Sequence, residues 1–161
     1  MKKSFYVLTS ALAAMSLFFA VSCGSSEPDQ NSPGKKVPDP VGTISVAMRN
    51  AANNATWVTP AGYYYGFYIG GDNNFRSNYH YEYAFASIGA VSGLGNVNYI
   101  PQSGWANPVA ATPGYGYVAK CMDSSGSVIA YVRIYVVDYI LDAISGGIIG
   151  ANIKYQSPFV P

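Results

Sequence analysis

The sequence predicts a single all-β domain, and three observations carry this prediction. Residues 79–89 alternate cleanly between an aromatic face and a smaller or polar face, and residues 128–140 alternate in a similar way. Clusters of Gly, Asn, Asp and Pro separate such segments, and no run of ten or more residues carries a convincing helical stripe. Because 161 residues have room for about one domain, we expect one mainly antiparallel β-sandwich, or a partly open barrel, over residues 42–161.

The first two predicted strands differ in composition. The segment TISVAM at 43–48 places Ile44, Val46 and Met48 on one face, as in a half-buried strand. The segment GYYYGFYIGG at 62–71 is aromatic-rich, and a strong turn signal follows it.

The third predicted strand is 79–89, and an irregular region follows it. One face of this strand carries four aromatic residues, Tyr79, Tyr81, Tyr83 and Phe85. Residues 90–114 contain repeated Gly and Pro, which predicts short strands, turns and one 3₁₀ turn.

The C-terminal third carries the clearest hairpin signal. The strands YGYVAKCM and VIAYVRIYVVDYI flank DSSGS, a short turn sequence. One face of the second arm carries Tyr131, Arg133, Tyr135, Val137 and Tyr139. A loop then leads to a final strand at 147–156.

The N-terminus has the layout of an export signal over residues 1–22. Lys2 and Lys3 precede an apolar stretch from Phe5 to Val21, and small residues then lead to Cys23. The alternative is an uncleaved membrane anchor, for which a run of about 17 residues lies at the short limit.

Cys23 marks the end of this segment. The tetrad AVSC at 20–23 resembles a bacterial lipobox, with Ala20 where Leu is commonest. The resemblance implies cleavage before Cys23 and its lipidation (thioether lipid and palmitate), so that Cys23 is not available for a disulfide with Cys121. Residues 23–41 are rich in Gly, Ser and Pro and predict a flexible tether.

Composition excludes several classes of function. The formal net charge is +1 and no basic stripe is present, so nucleic acid is not an expected partner. One His and scattered acids offer no ligand spacing for a metal, and we expect no cofactor. His80 and Glu82 share one strand face, and a His–carboxylate pair can act as a general base in hydrolysis. However, the sequence places no nucleophile beside them.

Several phrases in the later part of the chain resemble one known family. They are FASIGAVSGLGNVNYIPQSGW, PGYGYVAK, YVRIYVVDYI and SGGIIGANIKYQSPF. In this order they look like a family of uncharacterised lipoproteins from Bacteroides and Parabacteroides, a domain of unknown function. The resemblance covers about residues 40–159 and implies an all-β module in a Bacteroidota cell envelope. Gly24, not Asp, follows Cys23, which by analogy with other Gram-negative lipoproteins favours the outer membrane. It implies no activity.

The aromatic residues are the remaining functional signal. Aromatic residues make up 15% of the chain, and three consecutive tyrosines in one strand cannot all face a core. We therefore predict an aromatic binding patch from Trp57, Tyr63, Tyr64, Tyr65, Tyr79 and Tyr81. The predicted function is a non-catalytic module that binds a glycan or an envelope protein. The alternatives are a structural subunit of a surface assembly, which would use the last strand as a free edge, and a hydrolase or accessory enzyme.

Overall fold

The computed structural model of the chain describes residues 35–60, 62–63, 65–78 and 82–161. Over these residues the chain forms a two-sheet antiparallel sandwich, which confirms the predicted all-β class. The strands are β1 (Ile44–Arg49), β2 (Phe67–Ile69), β3 (Asn74–Ser77), β4 (Tyr83–Ala90), β5 (Val109–Ala110), β6 (Tyr115–Met122), β7 (Val128–Leu141) and β8 (Ile148–Gln156). Two short 3₁₀ helices span Ala51–Asn53 and Leu94–Asn96, the second inside the predicted irregular region.

The larger sheet has the order β1-β8-β7-β6-β4, and the smaller has the order β2-β3-β5. The predicted hairpin is β6–β7. The last strand, β8, pairs with both β1 and β7. It is therefore interior, and the prediction that it offers a free edge was wrong. The loop over residues 142–147 lets β8 turn back and pair with β7, and β1 pairs with the other edge of β8.

Two hydrophobic clusters hold the sandwich together. The inner cluster takes residues from both sheets, among them Phe67, Phe75, Phe85 and Ile134, all fully buried. Three of its phenylalanine rings touch one another, with centroids 5.5–6.1 Å apart. The outer cluster, built on Leu94, Val97, Val118 and Phe159, lies on the other face of the larger sheet. Both clusters and every strand of the described residues fall within 35–161, so this segment has its own hydrophobic core, as an independently folding domain does.

A bulge in β7 reverses which side chains face each side of the sheet, so the predicted faces of this strand were wrong beyond the bulge. Val136 pairs with Ile153 and Asp138 with Asn152, so Val137 is an extra residue. The faces change at this point: Tyr135 packs on the outer cluster, whereas Tyr139 packs on the inner one. Simple alternation had placed both tyrosines on the same side.

Of the strand predicted at 62–71, only the part Phe67–Ile69 forms a strand, β2. Val58 and Phe67 exchange two backbone hydrogen bonds of 2.9 Å each, which closes residues 58–67 into a loop. Tyr63 and Tyr65 therefore precede the strand rather than lie in it. Similarly, β4 begins at Tyr83, later than the predicted start at residue 79.

Residues 35–41 belong to the predicted tether and contact the domain. Asp39 forms an ion pair with Lys154, and the Gln156 side chain donates a hydrogen bond of 2.7 Å to the carbonyl oxygen of Val41. The backbone N–H of Val37 donates to the Asn96 side chain at 3.4 Å. This part of the tether is therefore fixed across the larger sheet; residues 23–34 lie outside the described residues.

Candidate functional site

Two neighbouring cavities lie at the end of the sandwich where β4 begins and β6 ends. The first, which we call the aromatic groove, has a volume of about 210 Å³. Its lining residues are Trp57, Thr59, Tyr65, Gly66, Asn78 and Glu82. The second, the hairpin cavity, borders the β6–β7 hairpin and has a volume of about 320 Å³. Tyr65 and Glu82 line both cavities, so the two cavities share part of their walls.

The aromatic groove exposes two large rings. Trp57 is 44% exposed and Tyr65 is 53% exposed, although both side chains are mainly apolar. The Trp57 indole packs on the Tyr68 ring with centroids 4.3 Å apart, and this contact holds it in place. The groove therefore presents a positioned aromatic surface to solvent.

The bridge between Val58 and Phe67 brings these two rings together. Trp57 directly precedes the bridge on one side, and Tyr65 comes shortly before it on the other. Gly66 permits the close approach, because a Cβ at this position would lie 2.6 Å from the Thr59 hydroxyl and 2.8 Å from the Val58 carbonyl oxygen.

Tyr83 fixes the backbone of Tyr65 from beneath. Its hydroxyl donates a hydrogen bond of 3.0 Å to the Tyr65 carbonyl oxygen. The Tyr83 ring is fully buried and stacks against Phe85 at 6.2 Å, with an edge contact to Phe67 at 5.6 Å. The position of Tyr65 thus depends on the inner cluster.

Glu82 lines both cavities. It is only 3% exposed, and its backbone carbonyl accepts a hydrogen bond of 2.9 Å from the backbone N–H of Met122. A carboxyl group accepts hydrogen bonds, so Glu82 adds a polar residue to an otherwise largely aromatic wall.

In the wall of the hairpin cavity, Cys121 affects the pKa values of Tyr63 and Tyr83. Cys121 lies opposite Tyr83 across β4 and β6, and it is a free, buried thiol. Burial raises the pKa of Cys121 to about 11, and a hydrogen bond with Tyr83 offsets this in part. Burial also raises the pKa of Tyr83, and the pKa of Tyr63 is raised by burial and then by the nearby Cys121. The thiol is therefore protonated at neutral pH, and in this state it is a poor nucleophile.

The predicted patch is thus divided between the two cavities. Trp57 and Tyr65 line the groove, and Tyr63 lines the hairpin cavity with its side chain partly buried. Tyr64, Tyr79, Tyr81, His80 and Cys23 lie outside the described residues. The sequence interpretation placed Glu82 beside His80 on a strand face; the structure places Glu82 just before β4, in the walls that also contain Tyr65. It also missed Asn78, in the loop after β3, and Ile129, whose place in the hairpin cavity depends on a bulge in β7.

Other kinds of site are not seen in the part of the chain that the structure describes. It contains no group of three or more His, Cys, Asp or Glu residues placed to bind a metal. None of its helices is long and apolar enough to cross a membrane. Comparisons with protein-family models, with curated proteins and with solved structures gave no match for the chain.

Proposed function

We propose that the domain is a non-catalytic carbohydrate-binding module. One observation carries this proposal: Trp57 and Tyr65 expose their rings in a single groove beside the buried carboxyl group of Glu82. The C–H faces of a sugar ring pack well on aromatic faces, and its hydroxyl groups donate to a carboxylate. Few polar groups set among aromatic walls are the usual composition of a ligand site.

The size of the groove limits what it holds. Its volume of about 210 Å³ is below the range of about 300–1,000 Å³ typical of cavities for drug-sized ligands. The groove therefore suits one sugar ring of a longer chain, with the remainder of the chain outside it.

The experiment is a binding screen against immobilised bacterial, host and plant glycans, using residues 35–161. For a glycan that binds, Trp57→Ala and Tyr65→Ala should each weaken binding by about tenfold, equivalent to about 1.4 kcal/mol. Tyr99→Ala is the matched control, because Tyr99 is also an exposed aromatic residue and does not line the groove. Equal losses in all three variants, or no loss in the first two, would count against the groove as the site.

We also propose that the domain is lipid-anchored at Cys23 in the outer membrane. The support is the sequence layout around Cys23 and the resemblance to envelope lipoproteins. Cys23→Ser should release the protein from membranes and abolish metabolic labelling with palmitate, whereas Cys121→Ser should leave both unchanged. Retention of label by the first variant would refute the anchor.

The alternative of a structural subunit in a surface assembly predicts an unpaired apolar edge strand, with the last strand as its foremost candidate, and β8 is paired on both sides. We therefore propose the glycan-binding role over it.

A further inference from the structure

We propose that the hairpin cavity accepts an apolar substituent, of the size of an aromatic ring or a short acyl chain, carried by the sugar ligand. This inference rests on the proposed function, because the sugar ring itself would lie in the aromatic groove. The ligand class is thus an aryl- or acyl-substituted carbohydrate rather than a plain one.

The two cavities are placed for a single ligand. Tyr65 and Glu82 line both of them, so the two cavities adjoin, and a substituent on a sugar in the groove has the hairpin cavity beside it. A ligand that spans both cavities would contact Tyr65 from two sides.

The polar groups of the hairpin cavity are largely engaged with one another. The Tyr83 hydroxyl donates to the Tyr65 carbonyl oxygen at 3.0 Å. The Asp123 carboxylate accepts hydrogen bonds from the backbone N–H groups of Ser125 and Ser127 and from the Ser125 hydroxyl, at 2.6–3.0 Å. These groups are less available to the hydroxyl groups of a sugar. An apolar group needs none of them.

Apolar side chains and the volume of the cavity fit this occupant. Met122, Ile129 and the rings of Tyr63 and Tyr83 line the cavity. Its volume is about 320 Å³, and an apolar cavity of about 150 Å³ is already enough to bind benzene.

Ile129 marks the mouth of the cavity. Cys121 pairs with Ala130 and Met122 with Val128, so Ile129 is the extra residue of a bulge. Bulges next to ligand sites redirect a side chain, and here the Ile129 side chain is 53% exposed while it lines the cavity. Its neighbour Val128 is 43% exposed and does not line it.

The first experiment tests the cavity without a sugar. Residues 35–161 contain two methionines, Met48 and Met122, and ¹³C-methyl labelling of methionine gives one signal from each. Benzyl alcohol is added as the probe. We expect the Met122 signal, assigned with Met122→Leu, to shift in a saturable manner, while the signal of Met48, buried in the inner cluster, stays in place. Ile129→Trp should block the shift, and the matched variant Val128→Trp should not.

The second experiment tests the link to the sugar. For a sugar that binds in the glycan screen, the phenyl glycoside should bind at least tenfold more tightly than the methyl glycoside. Ile129→Trp should remove this preference, whereas Trp57→Ala should weaken both glycosides by a similar factor. A preference that survives in Ile129→Trp would overturn the assignment of the hairpin cavity.

The two proposals fail in different ways. If benzyl alcohol leaves the Met122 signal unchanged, or the two glycosides bind equally, the inference is overturned and the glycan-binding function stands. If benzyl alcohol binds but no glycan does, the proposed function is overturned, and the sugar part of the inference with it.

Discussion

Alkaline pH should destabilise the domain through one buried thiol, and the size of the effect follows from its pKa. Burial raises the pKa of Cys121 from 9.0 to about 11, with a smaller opposing effect of the hydrogen bond to Tyr83. In the unfolded chain the thiol regains its ordinary pKa, so at high pH unfolding releases a proton. The stabilisation is complete below about pH 9 and is lost as the pH rises through about 11.

The expected loss can be worked out for a pH inside this window. The gap between the two pKa values corresponds to about 2.7 kcal/mol of unfolding free energy once the thiol is fully ionised. About half of this, ~1.3 kcal/mol, is already lost at pH 10 and almost none at pH 8. Domains of this kind have a total stability of about 5–15 kcal/mol, so the loss is measurable.

The assay compares wild type with Cys121→Ala by urea unfolding at pH 8 and pH 10, followed by far-UV circular dichroism. Between these two pH values the unfolding free energy of wild type should fall by ~1.3 kcal/mol more than that of the variant. Burial raises the pKa of Tyr117 in both proteins, so its contribution to alkaline destabilisation cancels in the difference. Equal losses in the two proteins would show that the thiol is not desolvated, and would refute the reasoning.

Three further substitutions test the packing around the site and the tether. Gly95→Ala should speed amide exchange in residues 35–41 without affecting the inner cluster, because its Cβ would collide with the Pro38 carbonyl oxygen; unchanged exchange would show that this contact is dispensable. Phe85→Ala should cost about 3–5 kcal/mol in urea unfolding, since the ring is fully buried in the aromatic cluster; a cost below about 1 kcal/mol would contradict that packing. Arg133→Met should lower the free energy of unfolding by about 1–3 kcal/mol, because it removes hydrogen bonds to Gln156 and to the Val97 carbonyl oxygen. Hydrogen exchange of the Phe159 amide measures the effect locally. An unchanged unfolding free energy would show that these bonds make no net contribution to stability.

Regular strands were predictable because alternation is a local signal. The segments that became β1 and β7 carry it, and β6 and β8 were predicted from the turn and the loop that flank β7; all four form strands close to the predicted bounds. The errors lie where a distant residue decides the outcome. Nothing in residues 62–66 reveals that Val58 will bridge to Phe67 and keep them out of β2. Likewise, the bulge at Val137 arises from pairing with β8 and reverses the faces that alternation assigns.

The candidate site was predictable only in part, for a related reason. Three consecutive tyrosines had to leave at least one ring outside the core, and Tyr65 is exposed. That Trp57 and Glu82 share its groove depends on how loops from three parts of the chain meet. Sequence patterns give residue types and local faces, but not which loop ends lie side by side.

The position of an aromatic residue relative to the strand ends determines its role here. Phe67 lies inside β2 and is fully buried, whereas Tyr65, two residues earlier and outside the strand, is 53% exposed. Tyr83, the first residue of β4, is buried and holds the Tyr65 backbone in place. Inside the strands, ladder hydrogen bonds and facing side chains fix each ring against the inner cluster, and just beyond them the chain no longer supplies a facing layer. The aromatic residues that build the core therefore continue into the surface that we propose binds the ligand, and Tyr83 connects that surface to the core.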